Sequence, residues 1–199
     1  MEHIFQLGQA NGPTLILLHG TGGNEESLLS VAEFLNPTAN LLSLRGSVNE
    51  NGALRFFKRH AEGQFDVADL EKRGQELLAF LKEAAKTYHF DLAEAVLVGF
   101  SNGANIAINM LLADNSPLTK GILFAPMYPV DTSHLTQEKP DTQVFLSMGT
   151  NDPIVPITDC HEVIDLFEQR NANVQQFWVN SHEIRLDNLQ AAKHWLDQH

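Results

Sequence analysis

The sequence predicts an α/β fold, a mostly parallel open sheet with helices covering both faces. Two observations carry this. Short, almost wholly apolar runs recur along the chain, the pattern of strands buried on both faces. Between them lie stretches with helical spacing of apolar residues, so strand and helix alternate, and right-handed crossovers then build a three-layer sheet. The length of 199 residues and 43% hydrophobic content suit a single domain spanning residues 1–199.

The strand candidates are Thr14–Leu18, Asn40–Leu44, Ala95–Phe100, Gly121–Phe124, Val144–Met148 and Val174–Val179. Helices are expected at Glu25–Leu35, Asn102–Asp114, Thr158–Arg170 and Arg185–Asp197. The longest helix runs from near Asp66 to Tyr88, with Val67, Leu70, Leu77, Leu78, Leu81 and Ala85 on one face. Residues 46–64 and 125–143 are the least regular. Each follows a strand, so each is expected to overhang the carboxyl edge of the sheet, where sites form in such folds. Only 19 residues, 125–143, separate the strand ending at Phe124 from the next, too few for a cap domain.

Charge narrows the functions. A formal net charge of -12, from 13 basic against 25 acidic residues, opposes binding to nucleic acid or to an anionic membrane surface. The single cysteine, Cys160, excludes an intramolecular disulfide. The opening residues lack a signal-peptide pattern, and no apolar run approaches the roughly 20 residues of a membrane span. A cytoplasmic location is the expectation.

The chemistry centres on Gly99-Phe100-Ser101-Asn102-Gly103 between a strand and a helix, the G-x-S-x-G form of a nucleophile elbow. Glycines are needed where a Cβ would clash across a sharp turn. By chance the pattern occurs in about one chain in ten or fewer of this length, so position supplies the weight. The competing reading is an ordinary strand-to-helix turn with a capping serine.

A serine nucleophile needs a base, a group to orient that base, and donors for the oxyanion. Asp152 lies just past the Val144–Met148 strand and His182 just past the Val174–Val179 strand. The chain order Ser, Asp, His is that of an α/β-hydrolase. Asp159 and Asp165 fall on a helix, and Asp131 or Asp141 would serve only if their loop folded inward. His161 and His194 lie on helices, while His3, His60, His89, His134 and His199 follow no strand end. His161 and Asp165 have helical spacing compatible with a metal, but lack a third ligand, so no metal or cofactor is expected. The glycines of Leu17-Leu18-His19-Gly20-Thr21-Gly22-Gly23 free the backbone to aim amides inward. The amides of Thr21 and Asn102 are assigned to the oxyanion hole, with His19 structural. A phosphate-binding loop is the alternative for this segment, but it lacks G-x-G-x-x-G and G-x-x-x-x-G-K-[ST].

These motifs, LLHGTGGNE, GFSNG, GTNDPIVP and SHEI, resemble the carboxylesterase and phospholipase family of small α/β-hydrolases, which also contains acyl-protein thioesterases. The segments Leu44-Arg45-Gly46, Asn51 to Arg59 and Glu62 to Asp66 look closest to bacterial carboxylesterases associated with hydroquinone stress. The resemblance implies Ser101, Asp152 and His182 as the triad; Ser181 stands where many relatives carry glycine. A homodimer is consistent with it, though no sequence feature locates an interface. The expected activity is hydrolysis of small acyl or aryl esters through an acyl-enzyme, with an acyl-protein thioesterase or lysophospholipase as one alternative and a silent ligand-binding module as another. Phe56 and Phe57 are expected to line an apolar pocket with neighbouring cations at its rim, the competing reading being that they plug their loop onto the core. Met127 and Tyr128 are expected to form a shallow wall.

Overall fold

A computed structural model describes residues 1–10 and 12–199. Its centre is a seven-stranded sheet, ordered β1-β3-β2-β8-β9-β10-β11. The strands are β1 His3–Gln6, β2 Thr14–Leu18, β3 Asn40–Leu44, β8 Val96–Phe100, β9 Lys120–Phe124, β10 Gln143–Gly149 and β11 Asn173–Val179. All pair in parallel except β1, which runs antiparallel to β3 at one edge. Neighbouring residues of each strand point to opposite faces, and this splits the core in two. Ile16, Leu18, Leu97, Leu123 and Leu146 pack under helices α2 (Val67–Tyr88), α3 (Asn102–Leu112) and α4 (Ile157–Glu168). Leu15, Leu17, Val96, Val98 and Phe145 pack under α1 (Leu29–Leu35) and α5 (Leu186–Leu196). No helix among the described residues is long and apolar enough to cross a membrane.

The expected strands are present with small shifts at their ends, whereas α1 begins later than expected, at Leu29 rather than Glu25. Glu25 is buried and held by the Arg45 guanidinium, so the chain before Leu29 turns to reach that partner. Helix α2 starts where Asp66 accepts a hydrogen bond from the Asp69 amide at 3.1 Å, a side-chain cap for an otherwise unpaired donor. Its last turn closes at His89, whose φ of 57° lies in the left-handed region.

The two irregular regions differ from one another. Residues 46–64 contain short hairpins: β4 Val48–Glu50 pairs with β5 Ala53–Arg55, and β6 Arg59–Ala61 with β7 Gln64–Phe65. Residues 125–142 carry neither helix nor strand. No cap covers the sheet there.

Candidate active site

The β8–α3 turn puts Ser101 at φ 52° and ψ -117°, a backbone conformation that a non-glycine residue holds only at a cost of about 1–3 kcal/mol. The strain is maintained from both sides. The Ser101 amide donates to the Phe124 carbonyl at 2.9 Å, and the Asn105 amide donates to the Ser101 carbonyl at 2.9 Å. Each flanking glycine is required, for different reasons. A Cβ at Gly99 would meet the Ala104 backbone at 2.7 Å, within the elbow itself. A Cβ at Gly103 would collide with the Leu18 carbonyl, so that glycine lets α3 pack against the end of β2.

Asp152 and His182 are brought together because the β10–β11 pairing continues past the strands. The Thr150 amide donates to the Val179 carbonyl at 2.9 Å and the Asn151 amide to the Asn180 carbonyl at 2.8 Å. One residue further along the first strand's extension and two along the second, Asp152 Oδ2 and His182 Nδ1 lie 2.7 Å apart. The Asp152 side chain is fully buried, but its other oxygen, Oδ1, accepts from the amides of Ile154 at 2.7 Å and Val155 at 3.0 Å. A buried carboxylate satisfied in this way holds an imidazole ring in one orientation and tautomer. The His182 ring centroid sits 5.2 Å from that of Phe100. Ser101 and His182 line one cleft of about 280 Å³ with Thr21, Asn102, Arg55 and Met127. Their side chains are not hydrogen-bonded to each other in this arrangement.

The Thr21 and Asn102 amides form no hydrogen bond among the described residues. Asn102 opens α3, so its N–H belongs to the unpaired first turn of a helix and adds the positive end of the helix dipole to the cleft. The Thr21 loop is tied to β5, because the Gly22 amide donates to the Leu54 carbonyl at 2.9 Å. His19 fixes the same loop from beneath and is 1% exposed. Its Nδ1 lies 2.7 Å from the Gly20 carbonyl, and its Nε2 accepts from the Gly46 amide at 2.9 Å. That pattern needs a neutral ring. Burial lowers the His19 pKa, which favours the same form.

The expected pocket aromatics lie elsewhere. Phe56 is 3% exposed and Phe57 is 0% exposed, and both belong to the core rather than the cleft. Phe56 packs on the His19 ring at 4.8 Å and Phe57 on Phe65 at 4.8 Å. The Phe56 amide donates to Asn102 Oδ1 at 2.7 Å, which draws this segment onto α3 and turns both rings inward. Arg55, expected at the rim with the other cations, is buried and lines the cleft, as do Arg59 and Phe65. Met127 does line the cleft, its amide held by Asn105 Oδ1 at 2.9 Å. Tyr128 does not. It faces a separate cavity of about 420 Å³ beside α2 and α3, and its hydroxyl accepts from Asn109 Nδ2 at 2.9 Å. Burial pushes the Tyr128 pKa up to about 12, so its hydroxyl stays protonated. Sequence reasoning missed Arg55, Arg59 and Phe65 as lining groups; the available signal was their place in a loop after a strand end.

Comparison with known proteins identifies the family. The phospholipase/carboxylesterase family matches residues 1–199. The Bacillus subtilis (strain 168) protein MhqD is 39% identical over 196 residues, covering 98% of this chain and 97% of its own length. The crystal structure of a Bacillus cereus carboxylesterase superposes with a TM-score of 0.95 at 45% identity, covering 100% of this chain and 94% of that one. The structure of YahD with malic acid superposes with a TM-score of 0.94 at 32% identity, covering 99% and 98%. The elbow, the sheet order and these matches over the full length place the chain in the phospholipase/carboxylesterase family of α/β-hydrolases.

Proposed function

We propose that the protein is a serine carboxylesterase for small acyl or aryl esters. The observation that carries the reading is the Asp152–His182 pair, 2.7 Å apart, on the same cleft as a serine with strained backbone. Ser101 Oγ attacks the ester carbonyl after rotating toward His182 Nε2, which takes its proton. The Asp152 carboxylate stabilises the imidazolium. The Thr21 and Asn102 amides donate to the developing oxyanion, and loss of one such donor costs about 10²- to 10³-fold in turnover. His182 returns the proton to the leaving alcohol, and water then releases the acyl group by the same steps in reverse.

The cleft volume favours this over a thioesterase for long acyl chains. At about 280 Å³ it sits just below the roughly 300–1,000 Å³ common for drug-sized ligands. The YahD relative, solved with malic acid, shows a small acid associated with a similar chain. Labelling by a fluorophosphonate probe and turnover of p-nitrophenyl acetate test the mechanism. Both are expected in the unmodified protein and both are expected to vanish in Ser101→Ala; a variant that retains either would overturn the assignment.

A further inference from the structure

Within the esterase reading, on which this inference rests, the charges of the cleft bear on the substrate. Arg55, at the end of β5, is only 4% exposed and lines the cleft. Its Nε donates to the Phe57 carbonyl at 3.2 Å and its Nη1 to Thr21 Oγ1 at 2.6 Å. A guanidinium has five N–H donors in a planar fork, and Nη2 has no acceptor among the described residues. Arg55 is thus nearly buried and still one of the residues that line the cleft with Ser101 and His182.

The surrounding carboxylates do not balance this cation. Glu50 Oε2 lies 3.6 Å from Arg55 Nε, but the same carboxylate is held by Arg59 Nε at 3.1 Å. One carboxylate therefore serves two guanidiniums. Glu62 also lines the cleft; it is exposed, where water screens its charge, and it forms no ion pair among the described residues. Burial first, and then the Arg59 charge, lowers the Arg55 pKa, the direction of an under-compensated cation. A second donor, Asn102 Nδ2, is buried beside the serine without a partner. A desolvated guanidinium with free donors offers nothing to a neutral acyl chain, whereas a carboxylate can accept two parallel N–H bonds from it.

The geometry points to Arg55 as a specificity-determining residue that binds a free carboxylate on the acyl part of the substrate, so that half-esters of short dicarboxylic acids are the preferred class. The bond to Thr21 sets the spacing. It places the guanidinium beside the proposed oxyanion amide, so only a short spacer fits between the carboxylate and the reacting carbonyl. The Ser101 oxygen bonds to the carbonyl carbon, the alcohol departs with the proton from His182, and water cleaves the acyl-serine to release the dicarboxylate. Arg55 holds the distal carboxylate throughout and exchanges no proton.

A purely structural Arg55, anchoring the Thr21 loop, would affect all esters alike, and this difference sets the test. The measured quantity is the ratio of kcat/KM for p-nitrophenyl hydrogen glutarate to that for p-nitrophenyl butyrate. The unmodified protein is expected to prefer the charged ester, and Arg55→Gln to lower the ratio by about 10- to 100-fold, chiefly through KM of the charged ester. Arg55→Lys, which keeps a cation and so disturbs folding less, is expected to lower it by about 3- to 10-fold because an ammonium lacks the planar fork. Equal losses on both esters, or no preference in the unmodified protein, would overturn the assignment. Calorimetry of glutarate with Ser101→Ala separates this from the mechanism. Binding that the added Arg55→Gln change abolishes sustains the carboxylate site even if no ester is turned over, and absence of binding together with absence of preference removes it.

Discussion

Residues 46–64 and 125–142 each follow a strand of the sheet, and each is fastened to the first turns of α3 by an asparagine side chain. Asn102 holds the Phe56 amide and Asn105 holds the Met127 amide. They nevertheless build different parts of the cleft. The first region pairs its backbone in two hairpins, the second ending just past it at Phe65, and sends Arg55 and Arg59, with Phe65 beside them, to the cleft. The second has no ladder of its own and is tied to other elements: its own Lys139 Nζ donates to the Ala113 carbonyl at 2.6 Å, and Arg170 Nη2 donates to its Thr132 carbonyl at 2.9 Å. It contributes Ala125 and Met127 and turns Tyr128 away. Backbone polar groups must find partners wherever they are buried. A segment that pairs internally leaves its side chains available for recognition, whereas one that relies on other elements is used mainly as wall.

The largest expected effect tests where the aromatics of the first region belong. Phe57→Ala is expected to cost about 3–5 kcal/mol in urea denaturation while changing KM for a butyrate ester little, because the ring fills the core. A raised KM with intact stability would return Phe57 to the cleft. The next effect separates the two tethers. Asn102→Ala and Asn105→Ala each strip the acceptor from a buried amide and are expected to cost about 1–3 kcal/mol. Only Asn102→Ala is expected to lower kcat/KM for the glutarate ester further, by about tenfold, since it frees the segment that carries Arg55. Equal losses of activity would show that both regions position the substrate. The smallest effect concerns Tyr128→Phe, which removes the bond to Asn109 and is expected to cost about 0.5–1.5 kcal/mol without altering KM. A change in KM would connect the neighbouring cavity to the cleft.

Legibility from sequence followed the range of the interactions concerned. Runs such as Thr14–Leu18 and Val96–Phe100 declare themselves because a strand buried on both faces has few polar positions. The edge strand His3–Gln6 mixes polar and apolar residues and was not among the expected strands; its pairing with β3 makes it a strand. The hairpins of residues 46–64 are only two or three residues per strand, too short for periodicity to register. Ser101, Asp152 and His182 could be singled out because each follows a strand end, a local property. The inward turn of Phe56 and Phe57 depends on Asn102, 46 residues away from Phe56, and no local pattern encodes that bond.

The sequence by itself determined the alternation of strand and helix, the glycines that permit the elbow and the order of its serine, aspartate and histidine. These depend on residue type and spacing along the chain. The tertiary structure alone decided that the β10–β11 pairing extends far enough to bring Asp152 to 2.7 Å from His182. It also decided that Arg55, rather than Phe56 or Phe57, reaches the cleft. The physical reason is that side-chain direction in a short loop is set by whichever distant donors and acceptors its backbone must satisfy, and those are known only once the chain has folded.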